Sequence, residues 1–250
     1  MWRLLPFLVV FQNLGWSAEI APQYIVIVSA NAEWRIVREL NPGAVMERSP
    51  YGEFFTQRMA GVPVVILQGG WGKVDAAASA QYAIDRWHPR GVFNLGTCGG
   101  IGGQIGKHEI VLAERTVIYD IVEMMGDSSE AISDYTTAID LGWLGPKLPT
   151  PVRRATLVSA DRDLAPADIP KLRRLYGAVA ADWESGAIAR VAARNATRVV
   201  ILRGVSDLVG PSTGEAYGKP EVFAQGTSVV MKKLFQALPA WIAQASAAAR

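Results

Sequence analysis

From Tyr24 onward, short apolar runs alternate with stretches whose apolar residues recur at helical spacing. The runs are Tyr24–Ser29 (YIVIVS), Val62–Gln68 (VPVVILQ), Gly91–Leu95 (GVFNL), Ile110–Ala113, Ala155–Ser159 and Arg198–Arg203 (RVVILR). Several are rich in Val and Ile with no polar alternation, the mark of strands covered on both faces. Between them lie amphipathic stretches at Glu33–Leu40, Lys73–Trp87, Ala167–Tyr176, Glu184–Asn195 and Val222–Leu238. In the fourth, Ile188, Val191 and Ala192 fall on one face. Strands alternating with helices predict an α/β chain, a three-layer α/β/α arrangement around a mixed, mainly parallel sheet. Met124–Pro151 shows no clean period and reads as a long excursion, a kind of segment that is often functional. No repeat or linker interrupts the pattern, so one domain is expected over residues 21–250.

Residues 1–20 stand apart. Met1–Arg3 make a short positive start, and Leu4–Phe11 (LLPFLVVF) has the length of a signal-peptide core. Gly15-Trp16-Ser17 offers small residues for cleavage, with Trp16 an awkward occupant. The segment is read either as a signal peptide ending near residue 17, which means export, or as an N-terminal extension, which means the cytoplasm. The second reading is preferred.

Composition narrows the classes. Half of the 250 residues are apolar and 19% are charged, enough to fill a core and too apolar for disorder. A net charge of +2 carries no nucleic-acid footprint. The single cysteine, Cys98, excludes an internal disulfide framework, and two histidines, His88 and His108, leave little for zinc. No metal and no cofactor is expected. No apolar run reaches the roughly 18 residues of a bilayer span, so no membrane partner is expected either.

Ligands in α/β sheets bind beyond the carboxyl ends of the strands, so the residues there carry the candidate chemistry. SANAEWR (Ser29–Arg35) follows the first run, GGWGK (Gly69–Lys73) the second and GTCGGIGG (Gly96–Gly103) the third. ADRDL (Ala160–Leu164) follows the fifth and GVSDLVG (Gly204–Gly210) the last. Between these two, AADWESGA (Ala180–Ala187) is read as opening a helix. Acids and glycines recur at these ends. GTCGGIGG does not register as a dinucleotide fingerprint, and Gly72-Lys73 lacks the spacing of a phosphate-binding loop. The glycines are left as tight turns or as clustered backbone N–H groups.

Taken in order, GGWGK, NLGTCGG, VSADRDL, ADWESGAIA and LRGVSDLVG resemble the nucleoside phosphorylase/nucleosidase superfamily, over about Tyr24–Leu238. The similar branch is the 5′-methylthioadenosine/S-adenosylhomocysteine nucleosidases. That resemblance implies a nucleoside phosphorylase-like fold, a purine-type nucleoside substrate, and a homo-oligomer with a dimer preferred. It also implies cleavage of an N-glycosidic bond to free base and sugar, by water as in the nucleosidase branch, with phosphate-dependent cleavage as in the phosphorylase branch the alternative. A third alternative is a non-catalytic nucleoside-binding protein on the same fold.

The chemistry sets its own demands. The bond breaks through an oxocarbenium-like sugar, so an acid must protonate the base, a group must activate water, and a group must hold the ribose hydroxyls. The resemblance assigns the acid to Asp207, oriented by Ser206, and the ribose to Glu184. On residue type alone, Asp207 would cap a turn or pair with Arg203, and Asp182 and Glu184 would favour a helix N-terminus. Trp183 stands where the family has a sugar-packing methionine, and Thr97 where it has a serine. Asp161 holds the family's aspartate position in the base segment, while Asp163 replaces the aromatic that would stack on adenine. The water-activating position has two registers, Glu33 counted from the helix and Trp34 counted from the strand, of which Glu33 is preferred. Arg35 is the candidate phosphate site of a phosphorolytic enzyme, although Asn94 stands where such enzymes carry a second arginine. Cys98 is read as a small buried residue rather than a nucleophile.

Overall fold

The computed structural model describes residues 21–248. The N-terminal segment, with its alternative readings, lies outside them. Among the described residues, ten strands and six α-helices follow in chain order. They are β1 (Tyr24–Val28), α1 (Asn31–Leu40), β2 (Glu47–Ser49), β3 (Gly52–Met59), β4 (Val62–Gln68), α2 (Gly72–Trp87), β5 (Gly91–Ile101) and β6 (Ile110–Ile118). After these come α3 (Ser128–Asp134), β7 (Thr136–Ala138), β8 (Arg153–Ser159), α4 (Ile169–Tyr176), β9 (Ala178–Asp182), α5 (Ser185–Arg194), β10 (Arg198–Val209) and α6 (Pro220–Ala247).

The expected α/β class with a mixed sheet holds. Apolar runs without alternation become strands buried on both faces: all five residues of β1 are buried, as are all five of β9. β1 lies parallel to β4 and β5, and β3 and β2 continue antiparallel beyond β4 as an open edge. On the other side the sheet closes on itself. β5 runs parallel to β10, β10 antiparallel to β6, β6 parallel to β8, and β8 parallel to β9. Gly99 and Gly100 at the end of β5 then pair antiparallel with Ala181 and Ala180 of β9, completing the ring.

Helices cover this sheet in pairs, α1 against α6 and α2 against α5. In α2 the buried Ala76, Ala80 and Ala83 make a small-residue stripe that lets α5 approach closely. The main core gathers β1, β4, β5 and β10 with these helices, and a smaller cluster around Val117, Val158 and Leu172 fills the closed end.

Three sequence expectations need correction. GTCGGIGG and GVSDLVG are not loops after strands: β5 runs on to Ile101 and β10 to Val209, zipped together in one parallel ladder. Small residues allow this, because a side chain at Gly96 would meet the Arg203 guanidinium at 2.2 Å. AADWESGA does not open a helix at once; Ala180–Asp182 belong to β9, held by β8 and β5, and α5 begins at Ser185. The excursion at Met124–Pro151 contains α3 and β7, the latter paired with β6. Neither element is long enough to show a period.

At Ser206 the β10 register slips against β5, leaving that residue as a bulge. Bulges re-aim side chains, and here the serine comes onto the same side as its neighbour Asp207. Behind the bulge, α6 presses its backbone onto the strand: a Cβ at Gly226 would lie 2.1 Å from the Ser206 carbonyl oxygen. Gly226→Ala is therefore expected to lower stability by about 1–3 kcal/mol through overpacking. A lower urea midpoint at unchanged m-value checks this.

Candidate active site

A cavity of about 560 Å³ opens where the ends of β1, β4, β8 and β9 meet the bulged stretch of β10. α1 contributes Glu33. The main-chain N–H of Ala30 donates to Glu33 Oε2 at 2.9 Å, so the side chain reaches back over the helix start as the third residue of a capping box does. Its other oxygen turns toward Thr97, which offers its hydroxyl and its N–H, the latter at 3.4 Å. Glu33 is only 4% exposed. Trp34, the residue of the other register, packs in the core against Phe55 and donates its indole N–H to Glu53. The strand-side register is thus unavailable to the cavity.

Glu184 occupies the N-cap position of α5, one residue earlier than the first turn, and caps nothing. Capping falls to Asp182, which accepts from the Ser185 N–H at 3.2 Å. Freed from that duty, Glu184 faces the cavity, accepts from the Gly72 N–H at 3.2 Å and lies 3.4 Å from Arg203. Arg203 sits mid-strand in β10, 1% exposed, and organises the buried floor. Its guanidinium meets Asp182 at 2.9 Å and donates to the Ser185 hydroxyl, the Thr97 carbonyl and the Asn94 side chain. Asn94 in turn donates to the Ile27 carbonyl.

Charge is unbalanced here. One guanidinium faces the carboxylates of Asp182, Glu184 and Glu33, all buried. Burial first, then the Asp182 and Glu33 charges, push the Glu184 pKa up to about 7 against the pull of Arg203. The same carboxylates outweigh burial at Arg203 and hold it firmly charged.

Asp207 belongs to a different part of the cavity. It does not pair with Arg203; the Ser206 hydroxyl lies 2.6 Å from Asp207 Oδ1, an arrangement made by the bulge. Burial raises its pKa above the ordinary carboxylate value, while the Ser206 hydrogen bond works the other way. An acid of this kind keeps a proton closer to neutral pH and can give it to a bound group. Cys98 also lines the cavity, but burial drives its thiol pKa far up, so it is the inert buried residue expected of it.

Of the remaining expectations, Trp183 and Thr97 line the cavity with Glu33, Glu184, Ser206 and Asp207. Arg35 and Asp161 do not. Arg35 is exposed on the outer face of α1, because the first turn points Glu33 inward and Arg35 two residues on falls on the opposite side. Asp161 turns to Lys73, accepting its main-chain N–H at 2.7 Å, with the ammonium 3.6 Å away and shared with Asp120. Trp71, unremarked in the sequence, tilts against Trp183 with ring centroids 5.4 Å apart at the cavity edge.

The model of the phosphorylase superfamily matches residues 24–240. The chain belongs to the phosphorylase superfamily. Within that superfamily it is 26% identical over 202 residues to the 5′-methylthioadenosine/S-adenosylhomocysteine nucleosidase of Marinomonas sp. (strain MWYL1), covering 74% of this chain and 85% of that one. To the enzyme of the same name from Bacillus subtilis (strain 168) it is 24% identical over 221 residues, covering 83% and 96%. Among solved structures, the Neisseria meningitidis nucleosidase of that name in complex with methylthio-immucillin-A superposes with a TM-score of 0.69 at 21% identity, over 86% of this chain and 98% of that one. The Colwellia psychrerythraea protein in complex with adenine gives 0.71 at 21% identity, over 90% and 96%.

Arg203, at the floor of this cavity, was considered in the sequence only as a partner for Asp207. Its signal was available: a lone cation inside an apolar run such as VVILR is rarely tolerated unless paired.

Proposed function

We propose that this protein hydrolyses the N-glycosidic bond of a purine nucleoside of the 5′-methylthioadenosine or S-adenosylhomocysteine type, giving free base and free sugar. One observation carries the reading. A single cavity holds a buried acid of raised pKa, Asp207, and, in another part of its lining, the buried carboxylates Glu184 and Glu33. The named relatives support the substrate class, and the superfamily supports the reaction type.

In this reading Asp207, oriented by Ser206, protonates a ring nitrogen so that the base leaves neutral. Glu184 accepts hydrogen bonds from the ribose 2′- and 3′-hydroxyls, and Trp183 packs on the sugar. Glu33 takes a proton from water as it attacks the sugar carbon that the base is leaving, with Thr97 beside it. Arg203 acts through others, holding Glu184 and the Thr97 carbonyl in place. Water is preferred to phosphate because Arg35 lies away from the lining and the cavity floor is rich in carboxylates, which repel a dianion.

The same reading takes the described chain as one catalytic domain working in the cytoplasm. It includes a homodimer, supported by the exposed apolar Val74, Val122, Met124 and Met125 flanking the Lys73–Asp120 ion pair. Among the described residues no helix is long and apolar enough to cross a membrane.

Incubation with 5′-methylthioadenosine in phosphate-free buffer is the test. Free adenine and a reducing sugar should form, added phosphate should not accelerate the reaction, and 2′-deoxynucleosides should react about tenfold or more slowly for want of the hydroxyl that Glu184 reads. A sugar 1-phosphate formed only when phosphate is present would replace water as the nucleophile. Binding without turnover under either condition would leave a nucleoside-binding protein.

A further inference from the structure

Three consecutive charged residues follow β8, and two are committed elsewhere. Asp161 is held by Lys73, and Arg162 meets Asp168 at 2.8 Å. Asp163 has no hydrogen bond or ion pair among the described residues and lines the cavity together with Asp207 and Tyr217. Asp163 itself is exposed, while the residue after it, Leu164, is buried and its carbonyl accepts the Tyr217 hydroxyl. The charge of Asp163 is felt at both Asp207 and Tyr217, where it disfavours loss of a proton.

We infer that Asp163 selects the base, its carboxylate accepting a hydrogen bond from a 6-amino group and disfavouring a 6-oxo purine. The inference rests on the proposed role of Asp207 as the acid. A purine joined to the sugar through N9 leaves N7 as the imidazole nitrogen to be protonated, and the 6-substituent shares that edge of the base. Asp163 lines the same cavity as Asp207, so its side chain is placed to meet the 6-substituent of a base held at that acid. An ionised carboxylate only accepts hydrogen bonds. A 6-amino group supplies the donor, whereas a 6-oxo group sets one acceptor against another. Enclosure by the bound base makes that mismatch matter, since discrimination built on a hydrogen bond comes from the unpaired group in the wrong complex.

The measurement is the ratio of kcat/KM for 5′-methylthioadenosine over 5′-methylthioinosine, in the native protein and in Asp163→Asn. The native ratio should be about 10- to 100-fold, the range expected for a hydrogen bond to a charged group. The amide of Asp163→Asn can turn its NH₂ to a 6-oxo group, so the ratio should fall by about tenfold. Calorimetric binding of free adenine and free hypoxanthine to both proteins reads the same preference without turnover. Equal cleavage of the two nucleosides by the native protein, or an unchanged ratio in Asp163→Asn, overturns the inference and leaves the hydrolytic reading standing. Loss of the adenine preference on Asp163→Asn in a protein that cleaves neither nucleoside upholds the inference and removes the hydrolytic reading instead.

Discussion

Asp207→Asn is expected to remove base release while leaving nucleoside binding largely intact. An amide keeps the shape of the carboxyl and its contact with Ser206, but has no proton to give to a departing base. Loss of a general acid costs about 10²–10⁴-fold in rate. Burial raises the pKa of Asp207, so the neutral, proton-donating form persists to higher pH than for an exposed aspartate. The native rate should therefore fall on the alkaline side as pH climbs through that raised pKa, and the variant should lack this limb. Initial rates across pH, with calorimetric binding of an uncleaved substrate analogue, separate the two effects. A variant within about tenfold of the native rate removes Asp207 from the role of acid.

Glu33→Gln should abolish hydrolysis, by about 10²–10⁴-fold, with no rescue by phosphate. The native carboxylate sits at the cavity wall with one oxygen fixed by the Ala30 N–H and the other toward Thr97. Glutamine can keep the accepting half of that geometry but cannot take a proton from water. A carboxylate there would also repel a phosphate dianion by roughly 1–4 kcal/mol at contact distance, for effective dielectrics of about 20 to 80. Arg35→Ala, on the exposed face of the same helix, is the companion variant and should retain the native rate. A large rise in the Michaelis constant for phosphate in Arg35→Ala would transfer the role to the arginine. Unchanged hydrolysis by Glu33→Gln would leave water activation without this residue.

Much of the site was legible because strand ends announce themselves. Glu33, Ser206 and Asp207 each follow an apolar run, and a chain that packs such runs into one sheet must bring their carboxyl ends together, whereas the strand before Glu184 was read as the start of a helix. Glu33 and Trp34 both fall on the buried side of α1 with Ile36 and Val37, so the spacing left two registers, and only the tertiary contacts part them, Trp34 going to Phe55 and Glu53 and Glu33 to the cavity. Asp161 and Arg35 were misplaced for one shared reason. Adjacent residues in a loop or helix point in different directions, and the choice between Asp161 and Asp163 depends on where Lys73, from a distant segment, stands ready to pair.

By itself the order of apolar runs and amphipathic stretches determined the α/β class, the strands β1, β4, β5, β6, β8 and β10, and the set of acids at their ends. Periodicity is local, so a single sequence carries it. The closure of the sheet was decided only in three dimensions. It required Gly96, Gly99 and Gly100 to let β5 run past Arg203 and bend onto β9, where the local pattern looked like a turn. The bulge that turns Ser206 toward Asp207, and the gathering of three carboxylates around one buried guanidinium, likewise arise from pairing between segments about a hundred residues apart. Their energies come from burial and mutual charge, which no spacing along the chain records.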